Sequence, residues 1–182
     1  GMATILSQTL EKSDEELARV IQEFEYEDTL AAGLSEDIYD VLEDFRRRIV
    51  ETLQHKATTL NIVSVDENPH SRVGQPLYNR FVEAWQSVDD QSITMVFHGT
   101  PEKNVDRICR NGLDPRLRNG QTLGKGEYFG KDAKTSLPYC KGGRKMVVLA
   151  VLTDKSGVTA ENSSTLVIHR PEHHLPLFVV TF

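Results

Sequence analysis

The apolar positions of residues 13–56 recur with the period of an α-helix. Ser13 precedes Glu16 in the order of a capping box, and the apolar residues that follow share one face. Ser35 is placed to cap a second helix, whose apolar stripe ends near Leu53. We therefore predict two helices here and expect their apolar stripes to be buried against the rest of the protein.

The next residues continue this region with one interruption. The sequence predicts a short strand at residues 61–65 and, from its turn-forming residues, a linker at 66–76. A third helix is indicated by helical spacing of Leu77, Phe81, Ala84 and Trp85. We assign residues 1–90 to a mainly helical N-terminal region.

From residue 91 the pattern changes to short apolar runs separated by polar turns. It predicts strands at 93–97, 126–129, 146–152, 166–169 and 177–182, and short helices at 101–111 and 133–140. Short strands with few helices between them are typical of the α+β class and not of a doubly wound sheet. Residues 91–182 form the second predicted domain.

Composition narrows the class of protein. The net charge of -6 argues against a general nucleic-acid binder, which normally has a basic surface. Two cysteines are too few for a disulfide scaffold. The sequence has no apolar run long enough to span a bilayer and no secretory pattern at its N-terminus. We expect an intracellular protein, cytoplasmic or nuclear, with no membrane contact.

Three segments of the second domain carry residues suited to chemistry. A buried strand ends in His98-Gly99-Thr100, a glycine-flanked strand carries Tyr128, and a short helix carries Ser136 and Tyr139. Gly99 lets a ligand approach the main chain closely. Taken singly, each has a plain structural explanation as a core histidine, a core aromatic or a turn.

Taken in order, these segments resemble the catalytic domain of poly(ADP-ribose) polymerases and their mono-ADP-ribosylating relatives. The segment 111–116, with the sequence Asn-Gly-Leu-Asp-Pro-Arg, adds to the resemblance, which covers roughly residues 93–182. It implies the ADP-ribosyltransferase fold, with two small packed antiparallel sheets and short helices, here preceded by the helical N-terminal region.

The resemblance also implies NAD as co-substrate and a role for each matching residue. The nicotinamide ring is expected between Tyr128 and Tyr139, since aromatic rings hold a flat ring in a desolvated slot. The main chain of Gly99 and the hydroxyl of Ser136 are expected to bind the carboxamide. His98 is expected to hold a ribose hydroxyl.

Two further roles concern the other end of NAD. The resemblance implies that Thr100 lies on the adenosine side and that residues 114–123 form a loop over the dinucleotide. Our own inference adds Arg116 and Arg118 as contacts of the pyrophosphate, because a guanidinium matches phosphate oxygens.

The sequence departs from the polymerase pattern at one position. Alignment of the closing strands places Thr165 where polymerising members carry a catalytic glutamate. A threonine hydroxyl is no general base, so His98, Tyr128 and Thr165 as a catalytic set favour transfer of single ADP-ribose units to a protein acceptor. The carboxylates that could substitute are Glu127, Glu161 and Glu172.

Other functions stay open at this level. A catalytically inactive NAD- or ADP-ribose-binding interaction module fits the same residues, and Thr165 supports it. An RNA 2′-phosphotransferase shares the ancestral fold, but the acidic balance disfavours an RNA substrate. His169, His173 and His174 form a histidine cluster without a completing ligand set, so we expect no metal.

Overall fold

The structure, a computed structural model, describes residues 37–56, 60–118 and 122–182. Helix α1 spans Asp37–Lys56, and its apolar stripe is buried at Ile38, Leu42, Ile49 and Leu53. The chain divides into two compact units, Gly1–Asp44 and Phe45–Phe182. The helix predicted to begin at Ser13, and the Ser35 cap, lie outside the described residues.

Seven strands follow in the second unit. They are β1 (Ser64–Glu67), β2 (Ile93–His98), β3 (Glu127–Gly130), β4 (Lys145–Leu152), β5 (Val158–Glu161), β6 (Thr165–Ile168) and β7 (His174–Thr181). The spatial order is β1-β7-β4-β2-β3-β6-β5, and every neighbouring pair is antiparallel. The α+β class is therefore confirmed.

Strands β2 and β3 are the least extensively paired neighbours in the sheet. These strands pair through one residue pair only, Phe97 with Gly130, whereas β2 and β4 pair along six positions. The two sheets expected from the sequence are thus joined at this one pair into a single seven-stranded sheet. Four strands lie on the β2 side of this junction and three on the β3 side.

Three helices and five 3-10 turns complete the described part of the second unit, together with the later part of α1. The helices are α2 (Pro76–Ser87), α3 (Val105–Asn111) and α4 (Ala133–Ser136). The 3-10 turns are Pro69–Ser71, Glu102–Asn104, Pro115–Leu117, Leu137–Cys140 and Pro171–His173. Helix α3 packs on β4 and β7, and its residues Val105 and Ile108 join Val147, Leu149, Leu166 and Ile168 in one buried cluster.

The boundary between the two compact units, at Asp44 and Phe45, does not coincide with the division that the sequence suggests near residue 90. Strand β1 pairs with β7, and the Asn68 side chain donates to the main-chain oxygens of Cys109 and Pro176, both at 2.9 Å. Residues 66–76, predicted as a linker, are therefore held inside the unit. Sequence patterns miss this because the partners are 41 and 108 residues away.

Three strands differ from the prediction. Strand β1, predicted at 61–65, spans Ser64–Glu67. Strand β5 was not anticipated, because its four residues alternate half-buried and exposed and lack an apolar run. Strand β7 begins at His174, three residues before the predicted start, and runs through Pro176 at a register shift. Among the described residues, no helix is both long and apolar enough to cross a membrane.

Candidate active site

His98 lies at the end of β2, next to the junction with β3. Its Nδ1 atom is 3.2 Å from the main-chain oxygen of Tyr128. Its ring packs edge-on against Phe129, with 5.9 Å between centroids, and Phe129 in turn packs against His174 at 5.4 Å. One hydrogen bond and one ring contact therefore fix the orientation of the imidazole.

The same environment determines the protonation of His98. A carbonyl oxygen can only accept, so Nδ1 carries the hydrogen and Nε2 keeps its lone pair in the neutral ring. Burial lowers the pKa of His98 below its ordinary value of 6.5, while the bond to Tyr128 opposes part of that shift. At neutral pH His98 therefore offers an acceptor at Nε2.

Gly99 lies against the 3-10 turn that carries Tyr139. A Cβ atom at Gly99 would lie 1.9 Å from the Ser136 main-chain oxygen and 3.1 Å from the Tyr139 Cβ. Only glycine permits this approach. The fold thus brings Gly99, Ser136 and Tyr139 together, although 37 residues separate Gly99 from Ser136 in the chain.

Ser136 is buried and fastens α4 to the strand junction. Its hydroxyl donates to the main-chain oxygen of Phe97 at 2.9 Å. Its Oγ also lies 2.4 Å from where a Cβ of Gly130 would be. Phe97 and Gly130 are the residues of the single β2–β3 pair, so Ser136 lies directly on that junction.

The two tyrosines of the expected slot differ in how they are held. The Tyr128 hydroxyl accepts from the Leu123 amide and donates to the Gly124 main-chain oxygen, both at 2.7 Å. Tyr139 is 60% exposed, and its hydroxyl has no hydrogen-bond partner among the described residues. Tyr128 is therefore a fixed wall, whereas the Tyr139 ring is accessible to a ligand.

Thr165 begins β6 and lies level with the junction. It pairs with Gly130, and Gly130 pairs with Phe97, so Thr165, Gly130 and Phe97 form one row across three strands. Tyr128 pairs with Val167, two residues after Thr165, so both lie on the same face of the sheet. The structure brings the strands carrying Thr165, Tyr128 and His98 side by side.

The carboxylates considered as replacements for a catalytic glutamate all have cationic partners. Glu127 lies on the opposite face of β3 from Tyr128 and pairs with Arg118 at 2.8 Å. Glu161 pairs with Lys131 at 2.8 Å, and Glu172 lies 3.8 Å from Arg170. The side chain of Thr165 lies near another hydroxyl, since its Oγ1 is 3.4 Å from the Ser164 Oγ.

The two arginines expected at a pyrophosphate have different surroundings. Arg116 is 86% exposed, pairs with Asp114 at 2.8 Å and lines a cavity of about 430 Å³ that Arg80 and Arg107 also line. No hydrogen bond or ion pair links it to the residues around Gly99. Arg118 is largely buried against Glu127 and donates to the His169 main-chain oxygen at 3.1 Å, so the expectation that it faces a phosphate is corrected.

Two residues that contact this region, Asn104 and Phe129, were missed from the sequence. Thr100 is buried, and its hydroxyl accepts from the Asn104 amide at 3.1 Å. Phe129 supports the His98 ring. The i to i+4 spacing of Thr100 and Asn104 could have indicated the first contact, whereas the second depends on strand pairing.

The histidines at the C-terminal end do not assemble a metal site. His173 and His174 are buried, and His169 is exposed. Among residues 37–56, 60–118 and 122–182, no group of three or more histidine, cysteine or acidic side chains has a geometry that could hold a metal ion.

This geometry agrees with the comparison to known families. The family model described as the poly(ADP-ribose) polymerase catalytic domain matches residues 35–171. That range covers most of the chain and includes His98, Gly99, Tyr128, Ser136, Tyr139 and Thr165. The chain belongs to the poly(ADP-ribose) polymerase catalytic domain family.

Curated relatives match over a shorter stretch. The mouse protein mono-ADP-ribosyltransferase PARP11 is 43% identical over 49 residues, which is 26% of this chain and 15% of the relative. The human protein of the same name is 43% identical over 49 residues and is covered to 14%. The chain thus spans about one seventh of these relatives.

Proposed function

We propose that this protein is a mono-ADP-ribosyltransferase, a glycosyltransferase that moves one ADP-ribose unit from NAD to a protein acceptor and releases nicotinamide. The observation that carries the proposal is the junction of β2 and β3. It places His98 beside Tyr128 and sets Thr165 level with it, while Gly99 lies against Ser136 and Tyr139. Family membership supports NAD as the substrate.

The nicotinamide end is held by ring contacts and by the main chain. The accessible Tyr139 ring and the fixed Tyr128 ring enclose the flat ring. The Gly99 amide and carbonyl bind the carboxamide oxygen and nitrogen. While Ser136 donates to Phe97, its hydroxyl can only accept, so it takes the second amide hydrogen of the carboxamide.

The ribose and adenosine of NAD lie beside the residues at the end of β2 and after it. His98 accepts a ribose hydroxyl at Nε2, since its Nδ1 hydrogen is already committed to Tyr128. Asn104, which contacts Thr100 and caps α3, begins a face that continues through Arg107 at helical spacing towards the cavity lined by Arg116. Arg107 and Arg116 there supply positive charge for the pyrophosphate.

The reaction breaks the bond between nicotinamide and ribose. The bonding electrons go to the ring nitrogen, nicotinamide leaves as a neutral molecule, and positive charge develops on the ribose. A nucleophile of the acceptor protein, such as a carboxylate, then forms the new bond to the same ribose carbon. The chain contributes by fixing the ribose through His98 and excluding water from the slot.

Transfer stops after one unit because no residue in the described part of the site activates a second acceptor. Thr165 has no useful basicity near neutral pH. The alternative carboxylates Glu127, Glu161 and Glu172 are each engaged by a cation or turned to the other face. This arrangement supports single-unit transfer over polymer growth.

The threonine at position 165 also favours a second candidate, an inactive module that binds NAD or ADP-ribose. Without a carboxylate beside the ribose, the developing positive charge lacks its strongest stabilisation. The slot itself depends on Gly99, Ser136, Tyr128 and Tyr139 and is unaffected by residue 165. Binding without turnover is therefore the outcome that separates the two candidates.

The deciding experiment incubates the protein with NAD labelled in the adenosine part. Label on the protein and free nicotinamide are measured together over time. The proposed enzyme gives both, with one unit per modified site, whereas the binding module gives saturable NAD binding and neither product. His98→Ala and Tyr139→Ala serve as the inactive controls.

A further inference from the structure

We infer that Arg118 is a positioning residue for the Tyr128 wall of the slot, acting through Glu127 and through the end of β6. This inference rests on the proposed function, because it assigns Tyr128 to ligand binding. Arg118 precedes the segment that returns to β3, and its guanidinium bonds to two separate strands.

The first bond fixes the start of β3. The Arg118 Nε donates to a Glu127 carboxylate oxygen at 2.8 Å, and the two side chains are only 11% and 8% exposed. Glu127 directly precedes Tyr128. A buried pair with this geometry is held much more firmly than a surface pair, because either charge alone would be unpaired away from water.

The second bond fixes the neighbouring strand. The Arg118 Nη2 donates to the main-chain oxygen of His169, the residue after β6. Glu127 pairs with Ile168 in the sheet, so one guanidinium joins the adjacent ends of β3 and β6. These two strands carry Tyr128 and Thr165.

A separate set of contacts fixes the Tyr128 hydroxyl. The main-chain atoms of Leu123 and Gly124 bond to that hydroxyl. The Thr159 hydroxyl donates to the Lys125 main-chain oxygen at 2.6 Å and holds the same stretch from β5. Tyr128 is thus fixed at its main chain by the ion pair and at its hydroxyl by residues 123–124.

The test replaces both charges, because a single substitution would leave one buried charge without its partner. Arg118→Met combined with Glu127→Leu keeps the volume and removes the pair, and such replacements are commonly neutral for stability. Arg110→Met is the matched control, since Arg110 also forms an ion pair, with Asp106 at 2.9 Å, but is exposed.

The first measurement is hydrogen exchange of the Leu123 amide by nuclear magnetic resonance, which needs no ligand. The double variant should exchange this amide about tenfold faster, as expected when a bond near 1.4 kcal/mol is lost. Arg110→Met should leave the rate unchanged. Unchanged protection of Leu123 in the folded double variant overturns the inference.

The second measurement is benzamide affinity by calorimetry. The double variant should bind about tenfold more weakly, because small displacements of a positioned group reduce binding and catalysis strongly. Arg118→Lys keeps the charge but cannot bond to both strands at once. Its benzamide affinity should therefore lie between those of the wild type and the double variant. Wild-type affinity in the double variant counts against positioning, whereas no binding by the wild type counts against the proposed function.

Discussion

The imidazole of His98 donates its Nδ1 hydrogen to the main-chain oxygen of Tyr128, so two residues 30 positions apart share one hydrogen bond at the strand junction. This bond commits one nitrogen of His98 and leaves the other as an acceptor. Because burial lowers the pKa of His98 below 6.5, that acceptor is present at pH 7 and is lost only under acidic conditions.

The first prediction concerns the pH dependence of nicotinamide release. As the pH falls below 6.5 and through the lowered pKa of His98, Nε2 gains a proton, loses its acceptor function and places a positive charge beside the cationic nicotinamide end of NAD. The rate should be constant between pH 7 and 8 and fall at lower pH. His169→Gln, which changes an exposed histidine, should keep the same profile; a rate already falling at pH 7.5 would contradict the assignment.

The second prediction concerns the stability effect of His174. Its side chain is buried, and neither ring nitrogen has a hydrogen-bond partner in the described structure. Burial, helped by nearby Arg80 and His98, lowers the pKa of His174 well below 6.5. The unfolded chain therefore binds a proton below pH 6.5 that the folded chain does not, and stability falls as the pH decreases through that range.

Urea unfolding at several pH values measures this effect. His174 should contribute up to about 1.4 kcal/mol of lost stability per pH unit below 6.5. His174→Phe should remove that share of the slope and keep the packing against Phe129. A pH slope that is identical in His174→Phe and wild type would show that His174 is not the source.

The third prediction concerns Gly99. In Gly99→Ala the new methyl group would lie 1.9 Å from the Ser136 main-chain oxygen, so the turn carrying Tyr139 must move. Overpacking of this kind destabilises by about 1–3 kcal/mol, and the displaced turn should no longer bind the carboxamide. A folded Gly99→Ala protein that still gains wild-type thermal stabilisation from benzamide would exclude Gly99 from the slot.

The fourth prediction separates ring stacking from hydrogen bonding at Tyr139. The Tyr139 hydroxyl has no partner in the described part of the chain, so Tyr139→Phe should keep benzamide binding, and Tyr139→Ala should lose most of it. At a benzamide concentration of 100 times the dissociation constant, binding stabilises the folded state by about 2.7 kcal/mol. Equal loss in both variants would indicate that the hydroxyl, not the ring, holds the ligand.

The fifth prediction concerns product length and depends on Thr165. The wild type should give single ADP-ribose units on gels, because a missing general base slows a second transfer by roughly 10²–10⁴-fold. Thr165→Glu should raise nicotinamide release without producing long chains, and Thr165→Gln is the uncharged control of similar size. Polymer ladders from the wild type would rule out single-unit transfer.

The sequence and the structure agree where local pattern determines structure. The buried strand ending at His98 was predicted close to its observed bounds, and the helix carrying Trp85 was predicted from its apolar spacing. The closeness of Gly99 and Ser136 follows from neither residue alone. It was expected only from the resemblance, because the two residues lie 37 positions apart in the chain.

Arg118 shows why chemistry read from residue type can fail. A guanidinium suits a phosphate and a carboxylate equally well, so the sequence could not choose between them. Glu127 decides the choice, because alternation along β3 turns its carboxylate to the face where Arg118 lies. The two residues lie nine positions apart, and no periodic pattern in the sequence predicts that they pair.

The single pairing of Phe97 with Gly130 has a mechanical consequence. Two blocks of the sheet meet there as at a hinge, with His98 and Gly99 belonging to one block and Tyr128 and Thr165 to the other. A dinucleotide bound across this line would touch both blocks and act as a removable cross-link between them. Loading with NAD should therefore suppress shear between the blocks, and loss of nicotinamide should release it.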